Sequence, residues 1–395
     1  MNEWRIENLE KNLEVILDYR GKTPKKSAKG IITLSAKSVK MNYIDYSNIY
    51  YVSQETYNTF MTRGFPKKGD ILLTTEAPLG CVAELPDDKF CLAQRLLTLR
   101  GNPKFLVNKY LLYYLQSDYG QHELLSRATG TTVQGIKRTE FSKVNIKLPP
   151  LNIQKKIAKI LSDIDEKIEL NNKINNNLET LCQNYFLELF IKNSSENCFH
   201  GVIADLGIIV SGATPSKKNL NYYTNVGIPW ITPKDLSKTS NKFISRGELD
   251  ISELGFKNSS VKLLPKGSVL FSSRAPIGYI AISSNEVTTN QGFKSIIPFE
   301  NIGTEFLYYF LKNNVEFLES RASGSTFKEI SSAIMSTTPA LIPKKEPLEF
   351  FKKNCSDIFK KQYTLEEENM LLTNLKNYLL PKLMNGEIDV EKIEL

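Results

Sequence analysis

Two short loops rich in glycine, serine and threonine carry the clearest candidate chemistry in this sequence. They read TGTTVQGI at 129–136 and SGSTFKEI at 323–330, and a segment of helical character follows each one. Backbone N–H groups and hydroxyls, including those of Thr131 and Thr326, could bind phosphate. The competing interpretation is a plain capped loop that enters a helix. We favour the capped loop, with phosphate contact as a second role.

Catalytic and metal-binding residues are poorly provided for. Only two histidines occur, His122 and His200, and they are far apart. The five cysteines lack CxxC spacing, which indicates reduced thiols and no zinc site. No Ser/His/Asp arrangement can be assembled with conviction.

Several enzyme motifs are also missing. The sequence lacks a P-loop, a glycine-rich nucleotide or S-adenosylmethionine fingerprint, and the Asn-Pro-Pro-aromatic tetrad of amino-methyltransferases. Pro86 and Asp87 resemble the start of a nuclease motif, but no acidic-x-Lys follows, so LPDDKF is better interpreted as a turn between strands. We therefore expect no catalytic role for this chain alone.

Composition allows two ordinary domains and a polyanionic partner. The chain has 395 residues, of which 41% are hydrophobic, enough for real cores. The net charge of +8 suits nucleic acid but does not prove it. No apolar run is as long as a membrane span and the first residues do not resemble a signal peptide, so we expect a cytoplasmic protein.

The elements that must position the two loops are duplicated. Collinear matches pair YRGKTPKK with VSGATPSKK, GDILLTTEAPLG with GSVLFSSRAPIG, LAQRLL with TNQGFK, NKYLLYYLQS with TEFLYYFLKN, and RATGTTVQGI with RASGSTFKEI. GDILLTT and GSVLFSS are typical of strands, and the tyrosines of NKYLLYYLQS are predicted to pack in a core. Residues 40–65 and 237–262 have little in common. This predicts a shared scaffold with divergent recognition surfaces.

A long helix is predicted after each domain. Ile157, Leu161, Ile164 and Ile168 begin an a/d seam, and a second seam recurs 194 residues later. Some forty helical residues would span roughly 60 Å. We expect the two helices to pair in an antiparallel arrangement. Asn171 and Asn175 lie in mid-seam, where they either fix the register or form a solvated patch.

These features together resemble the specificity subunit of type I restriction–modification enzymes. The marks of the resemblance are the paired ATG-T and ASG-T loops, LPPLNIQKKIAKILSDIDEKI and LLPKLMNGEI. The second helix departs from the pattern, since IPKKEPLEFFKK lacks the Pro-Pro-x-x-x-Gln opening found at 149–154.

The resemblance implies an α+β chain with two pseudo-repeated α/β target recognition domains, separated by a long antiparallel two-helix coiled coil. The expected segments are recognition domain 1 at 1–150, a central helix at 151–192, recognition domain 2 at 193–346, and a C-terminal helix and tail at 347–395. Half-sites read on one face of B-DNA lie about 34 Å apart, so a helix pair of this length could set their spacing.

The resemblance also implies a non-catalytic subunit that reads a bipartite, asymmetric double-stranded DNA sequence. Its partners would be two methyltransferase subunits and the restriction/translocase subunits. It would bind no cofactor itself, whereas the assembled complex would use S-adenosylmethionine, ATP and Mg²⁺. The alternatives are a scaffold whose two domains bind proteins or RNA, and a stand-alone enzyme.

Under this interpretation, arginine, lysine, glutamine and threonine side chains are the candidates for DNA contact. Arg138 is a further phosphate candidate beyond the first loop. For any single one, a solvated surface charge is at least as good an explanation. The full set is Lys37, Arg63, Gln94, Arg95, Thr131 and Lys137 in the first half, and Lys234, Arg274, Gln291, Lys294, Thr326 and Lys328 in the second.

Overall fold

The chain divides into two compact units that share two long helices. The computed structural model describes residues 4–19, 21–130, 133–324 and 328–393. Unit 1 comprises Met1–Ile168 with Leu371–Leu395, and unit 2 comprises Glu169–Met370. The segments 151–192 and 347–395, expected as separate elements, are therefore each divided between the two units.

Unit 1 is built on a four-stranded antiparallel sheet of order β2-β10-β7-β8 and a three-stranded sheet of order β6-β3-β9, with the two-stranded pairs β1-β11 and β4-β5. Its elements are β1 (Arg5–Asn8), β2 (Leu13–Asp18), β3 (Ile31–Leu34), β4 (Val39–Lys40), β5 (Tyr43–Ile44), β6 (Tyr50–Val52), α1 (Gln54–Phe60), β7 (Ile71–Thr75), β8 (Leu79–Glu84), β9 (Cys91–Leu92), β10 (Leu96–Gly101), α2 (Asn108–Gln116), α3 (Asp118–Leu125), α4 (Arg138–Phe141), β11 (Asn145–Leu148) and the first part of α5 (Leu151–Phe186).

Unit 2 contains a five-stranded sheet of order β13-β21-β18-β19-β16, a four-stranded sheet of order β14-β17-β15-β20 and the pair β12-β22. A π-helical turn, Leu187–Lys192, extends α5. The elements that follow are α6 (Ser194–Asn197), β12 (Cys198–Val202), β13 (Gly207–Ser211), β14 (Tyr223–Thr224), β15 (Ile228–Ile231), α7 (Pro233–Leu236), β16 (Phe243–Ile244), β17 (Leu249–Ile251), α8 (Glu253–Lys257), β18 (Val269–Ser273), β19 (Ile277–Ser283), β20 (Thr288–Thr289), β21 (Lys294–Pro298), α9 (Thr304–Asn313), α10 (Val315–Ser320), α11 (Ser332–Thr337), β22 (Pro339–Pro343) and α12 (Lys345–Asn385).

The two units repeat one plan. The order β2-β10-β7-β8 in unit 1 matches β13-β21-β18-β19 in unit 2, and β1-β11 matches β12-β22. The strands predicted from GDILLTT and GSVLFSS are β7 and β18, and every residue of both is buried. The duplication read from the sequence is thus confirmed at the level of sheet topology. LPDDKF joins β8 to β9 outside any strand, as predicted.

The tyrosines of α2 lie in the core of unit 1, as predicted, and they also donate hydrogen bonds. Tyr110, Tyr113 and Tyr114 are all buried. The Tyr110 hydroxyl donates to the Lys147 carbonyl at 2.7 Å and the Tyr113 hydroxyl to Asp165 Oδ2 at 2.9 Å. Tyrosines fit here because an apolar ring fills the core while the hydroxyl reaches a polar partner. These bonds attach α2 to β11 and to α5.

Within unit 1, the first part of α5 packs against residues 371–385 of α12. Lys156 Nζ donates to the carbonyls of residues 390, 391 and 393, and Lys376 Nζ lies 2.7 Å from both carboxylate oxygens of Asp165. Residue numbers thus rise along α5 as they fall along α12. Apolar side chains of the two helices are buried in the same core, among them Ile153, Ile157, Leu161, Leu383 and Met384.

Within unit 2, the remaining parts of the two long helices also pair in an antiparallel arrangement. Asn171 is fully buried, and its Nδ2 donates to Glu368 Oε2 at 2.8 Å and to Asn369 Oδ1 at 2.9 Å. Farther along, Gln362 Nε2 lies 3.3 Å from Glu179 Oε2. Asn171 is therefore a paired amide between two helices, and the solvated-patch alternative does not hold for it.

A buried lysine joins several elements of unit 2. Lys242 precedes β16, and only 4% of its side chain is exposed. Its Nζ lies 2.5 Å from Glu179 Oε2, 2.7 Å from Gln362 Oε1 and 4.0 Å from the centre of the Phe359 ring. Burial lowers the pKa of Lys242, and the Glu179 carboxylate opposes that change. Since a buried ammonium needs a full set of partners, this cluster fixes Lys242 against both long helices.

The two long helices begin differently. Gln154 Nε2 donates to the carbonyls of Pro149 and Phe105, both at 2.9 Å, which fixes the first turn of α5. The second helix lacks that glutamine, yet α12 begins at Lys345 with Pro347 in its first turn, where a missing N–H costs little. Among the described residues, no helix combines the length and apolar character needed to cross a bilayer.

Candidate nucleic-acid interface

Parallel strand pairs bring the first predicted residues together in each unit. In unit 1, β3 and β9 are parallel neighbours, and Ala93 N donates to the Leu34 carbonyl at 2.8 Å. In unit 2, β15 and β20 are parallel, and Asn290 N donates to the Ile231 carbonyl at 3.0 Å. Because the carboxyl ends of parallel strands meet at one edge, the residues that follow each pair share that edge. Those residues are Lys37, Gln94 and Arg95 in unit 1, and Lys234 and Gln291 in unit 2.

The turn that follows the central strand of the main sheet, from β7 to β8 in unit 1 and from β18 to β19 in unit 2, has the same geometry in both units. Ala77 and Ala275 adopt positive φ angles of 53° and 54°, and each precedes a cis proline. Thr75 N donates to the Arg95 carbonyl at 2.9 Å, and Ser273 N donates to the Gly292 carbonyl at 2.8 Å. The central turn and the segment after the parallel pair are therefore in direct contact in each unit.

The glycine-containing loops are anchored to the same turn. Thr129 and Gly135 exchange backbone hydrogen bonds of 2.8 and 3.0 Å, and Ile136 N donates to the Thr75 carbonyl at 2.9 Å. In unit 2, Ser323 pairs with Glu329, and Ile330 N donates to the Ser273 carbonyl at 3.0 Å.

Contrary to our expectation, the loops do not cap the helices that follow them. Helix α4 begins at Arg138, after the loop has closed, and its N-cap residue Lys137 makes no side-chain cap. In unit 2, α11 is capped by Ser331, which lies beyond the loop and accepts from Ile334 N. The two candidate hydroxyl residues, Thr131 and Thr326, lie outside the described residues.

In unit 1, two of the predicted residues, Gln94 and Arg95, lie together after β9, and an ion pair holds Arg95 in place. Arg95 Nε lies 2.6 Å from Glu76 Oε1, and Gln94 is exposed beside it. Arg63 is exposed and donates to the Asp18 carbonyl at the end of β2, next to the start of β10. Lys37 and Lys137 are also exposed.

Arg138 is engaged elsewhere in unit 1. Its Nη1 lies 2.9 Å from Glu10 Oε2, and its hydrogen bond holds the pKa of Glu10 below its usual value. This arginine is therefore paired with Glu10 in the structure, and its contact with phosphate stays a prediction.

Unit 2 shows the corresponding arrangement. Arg274 Nη1 lies 3.1 Å from Glu329 Oε2, and Lys294 Nζ lies 3.4 Å from Glu329 Oε1. Lys294 is buried, so Glu329 pairs with one buried cation and one partly exposed cation. Gln291 is exposed and accepts from the Thr214 hydroxyl, which brings the GATPSKK loop to this site. Lys234 is exposed and paired with Glu248 at 2.9 Å, and Lys328 is exposed beside Glu329.

Sequence reasoning missed the acidic members of the site, Glu76 and Glu329. The aligned segments TTEAPLG and SSRAPIG contained a signal, because the residue before Ala-Pro is acidic in one repeat and basic in the other. It also missed Lys217 and Lys218, which are exposed in the loop that contains Thr214. Each unit thus presents amide and basic side chains at one end of its sheets, on backbone fixed by hydrogen bonds.

The family of the chain follows from a match to both repeats. The protein-family model described as "Type I restriction modification DNA specificity domain" matches residues 4–180 and 201–376. The chain belongs to this family. Each matched region contains one of the two candidate interfaces, so the family model matches the same two repeats that the fold shows.

Individual relatives agree. The type I restriction enzyme HindI specificity subunit of Haemophilus influenzae is 25% identical over an alignment of 402 residues, which covers 82% of this chain and 87% of that protein. The MjaIX specificity subunit of Methanocaldococcus jannaschii is 44% identical over 146 residues, and that match spans only 34% of its length. In fold, the chain is similar to the crystal structure of a type I restriction–modification S subunit from M. genitalium, with a TM-score of 0.62, 19% identity and 96% of each chain covered.

Proposed function

We propose that this chain is the non-catalytic DNA-recognition subunit of a type I restriction–modification complex. The observation that carries the proposal is the repeated interface: two units of one plan each present basic and amide groups at an equivalent strand-end turn. Such groups form the hydrogen bonds by which proteins read base edges. Two similar but unequal interfaces suit the two unequal halves of a bipartite, asymmetric site.

The long helices supply the second part of the proposal. They form an antiparallel coiled coil that separates recognition domains 1–150 and 193–346 and sets the spacing of the half-sites. The exposed faces of α5 carry mixed charge, with i,i+4 pairs such as Lys159–Asp163 and Lys173–Glu169. Such a surface suits protein partners better than a uniformly basic DNA-binding stripe would. We assign it to two methyltransferase subunits, through which the restriction subunits join.

In the proposed assembly this chain supplies binding and orientation only. The partners supply S-adenosylmethionine-dependent methylation and the steps that need ATP and Mg²⁺. The complex acts on double-stranded DNA in the cytoplasm. A scaffold whose two domains bind proteins or RNA remains the alternative.

Reconstitution with methyltransferase subunits tests the proposal. We expect weak binding by the chain alone and protection of a bipartite sequence by the complex, measured by footprinting. Exchanging residues 1–150 for the same region of a relative should change one half of the protected site and leave the other half intact. A complex without sequence preference would contradict the proposal, and unchanged specificity after the exchange would favour the scaffold.

A further inference from the structure

An arginine–glutamate pair lies at the same turn in both units. Arg95 pairs with Glu76 in unit 1, and Arg274 pairs with Glu329 in unit 2. All four side chains are between 35% and 47% exposed, so each guanidinium is held on one side and open to solvent on another.

The two pairs are assembled from different positions of the repeat. Three positions of the repeat meet at the turn. The first is the residue that follows the central strand, and the second is the residue whose carbonyl accepts a backbone hydrogen bond from that strand. The third is the residue that closes the glycine-containing loop. In unit 1 they are acid, arginine and glycine; in unit 2 they are arginine, glycine and acid. In that order, the three residues are Glu76, Arg95 and Gly135 in unit 1, and Arg274, Gly292 and Glu329 in unit 2.

A purely structural role does not account for this pattern. In unit 1 the pair joins the central turn to the segment before β10, whereas in unit 2 it joins that turn to the glycine-containing loop. The backbone contacts among the three segments are the same in both units without help from the side chains. The residue type therefore differs between the two units at all three positions. Each unit nevertheless has one guanidinium paired with one carboxylate at this turn.

The chemistry of the pair favours base reading over phosphate binding. A carboxylate repels phosphate, so its presence weakens a site that only attracts the DNA backbone. It does, however, orient a guanidinium and leave other N–H donors free. An oriented guanidinium makes two parallel hydrogen bonds to O6 and N7 of guanine, the commonest specific arginine contact in the major groove.

We propose that Arg95 and Arg274 each read a guanine in the half-site of their own unit, and that Glu76 and Glu329 are their positioning residues. This inference rests on the proposed function and specifies it. Because Arg95 lies in the segment before β10 and Arg274 lies in the turn after β18, the two guanines need not occupy equivalent places in their half-sites.

The test uses the complex of the full chain with methyltransferase subunits and a DNA library randomised in one half-site at a time. We expect Arg274→Ala to lose roughly 5- to 150-fold preference for guanine at one position of one half-site, the range for a bidentate contact. Arg95→Ala should do the same in the other half-site only. Lys345→Ala, which removes an exposed lysine paired with Glu349 in the first turns of α12, is the matched control and should change no base preference.

Two further variants separate reading from folding and from charge. Arg274→Lys keeps the charge but not the planar fork, so guanine preference should fall while salt-dependent affinity persists. Glu329→Gln removes a repulsive charge, so affinity for random DNA should rise as guanine preference falls. A merely structural residue would not move these two quantities in opposite directions.

The outcomes are distinguishable. If the wild-type complex shows no sequence preference, the proposed function fails. If the wild type is selective but the arginine variants keep every base preference, or lose affinity equally for all sequences, only the guanine assignment is overturned. Thermal unfolding of each variant identifies a misfolded protein, and Arg274→Lys then replaces Arg274→Ala as the deciding variant.

Discussion

In each unit, one carboxylate of α5 accepts hydrogen bonds from a tyrosine hydroxyl and from a lysine ammonium. In unit 1, Asp165 accepts from Tyr113 at 2.9 Å and from Lys376 at 2.7 Å. In unit 2, Glu179 accepts from Tyr309 at 2.9 Å and from Lys312 at 2.6 Å, and Lys242 lies within 2.5 Å of it. Tyr113 and Tyr309 occupy matching places in α2 and α9. One carboxylate therefore attaches a domain helix to a long helix in both repeats.

Removal of the Glu179 carboxylate should destabilise unit 2 strongly. Glu179→Ala leaves the Lys242 ammonium buried without its anion, a change that typically costs about 3–5 kcal/mol. Glu169→Gln on the same helix is the control, since its pair with Lys173 is exposed and should contribute less than about 1 kcal/mol. Urea unfolding gives both values. Equal losses for the two variants would show that the buried cluster contributes nothing special.

The same carboxylate should make stability depend on pH in acid. Burial alone would raise the pKa of Glu179, but Lys242 and Lys312 outweigh burial and hold that pKa at about 2, below its ordinary value of 4.5. Its contribution is therefore complete above about pH 4.5 and is lost as the pH falls toward 2. The stability difference between wild type and Glu179→Gln should be constant at neutral pH and narrow below about pH 4.5. Urea unfolding at a series of pH values tests this, and a constant difference would contradict it.

At the scale of elements, Asn171 should contribute to the pairing of α5 with α12. Asn171→Ala removes the donor to Glu368 and Asn369 in a buried site, for which we expect a loss of about 1–3 kcal/mol in the free energy of unfolding. Asn176→Ala, at an exposed position of the same helix, should change stability by less than about 0.5 kcal/mol. A loss at Asn171 no greater than at Asn176 would mean that the buried amide plays no part in pairing.

Periodicity predicted the long helices and the central strands well because it is a local property of the sequence. Apolar residues every three or four positions identified α5 and α12, and the buried runs identified β7 and β18. The site was harder to predict. Glu76 meets Arg95 only because strand pairing brings their segments together, and Arg274 meets Glu329 across 55 residues. Lys242 lies in LSKTSNKFIS, which reads as an exposed loop, and only the surrounding fold shows that it is buried.

At the scale of the whole molecule, unit 1 depends on residues distant in sequence. Leu383, Met384 and Val390 are buried in its core, although unit 2 lies between them and residue 168 in the chain. A chain truncated after residue 370 should therefore keep slow hydrogen exchange in the core of unit 2 and exchange faster in β11 and in the first part of α5. Hydrogen-exchange mass spectrometry measures this, and protection of unit 1 equal to that of the full chain would contradict it.

This interleaving also has a consequence for biosynthesis. A ribosome makes residues 1–168 first, yet the segment that completes their core emerges only after all of unit 2 has been translated. Unit 2 is one continuous stretch and can fold as soon as it leaves the exit tunnel, whereas the apolar faces of Ile157 and Leu161 must wait. Residues 1–168 are thus translated before unit 2 but complete their core after it, and in that interval their exposed apolar surface favours aggregation.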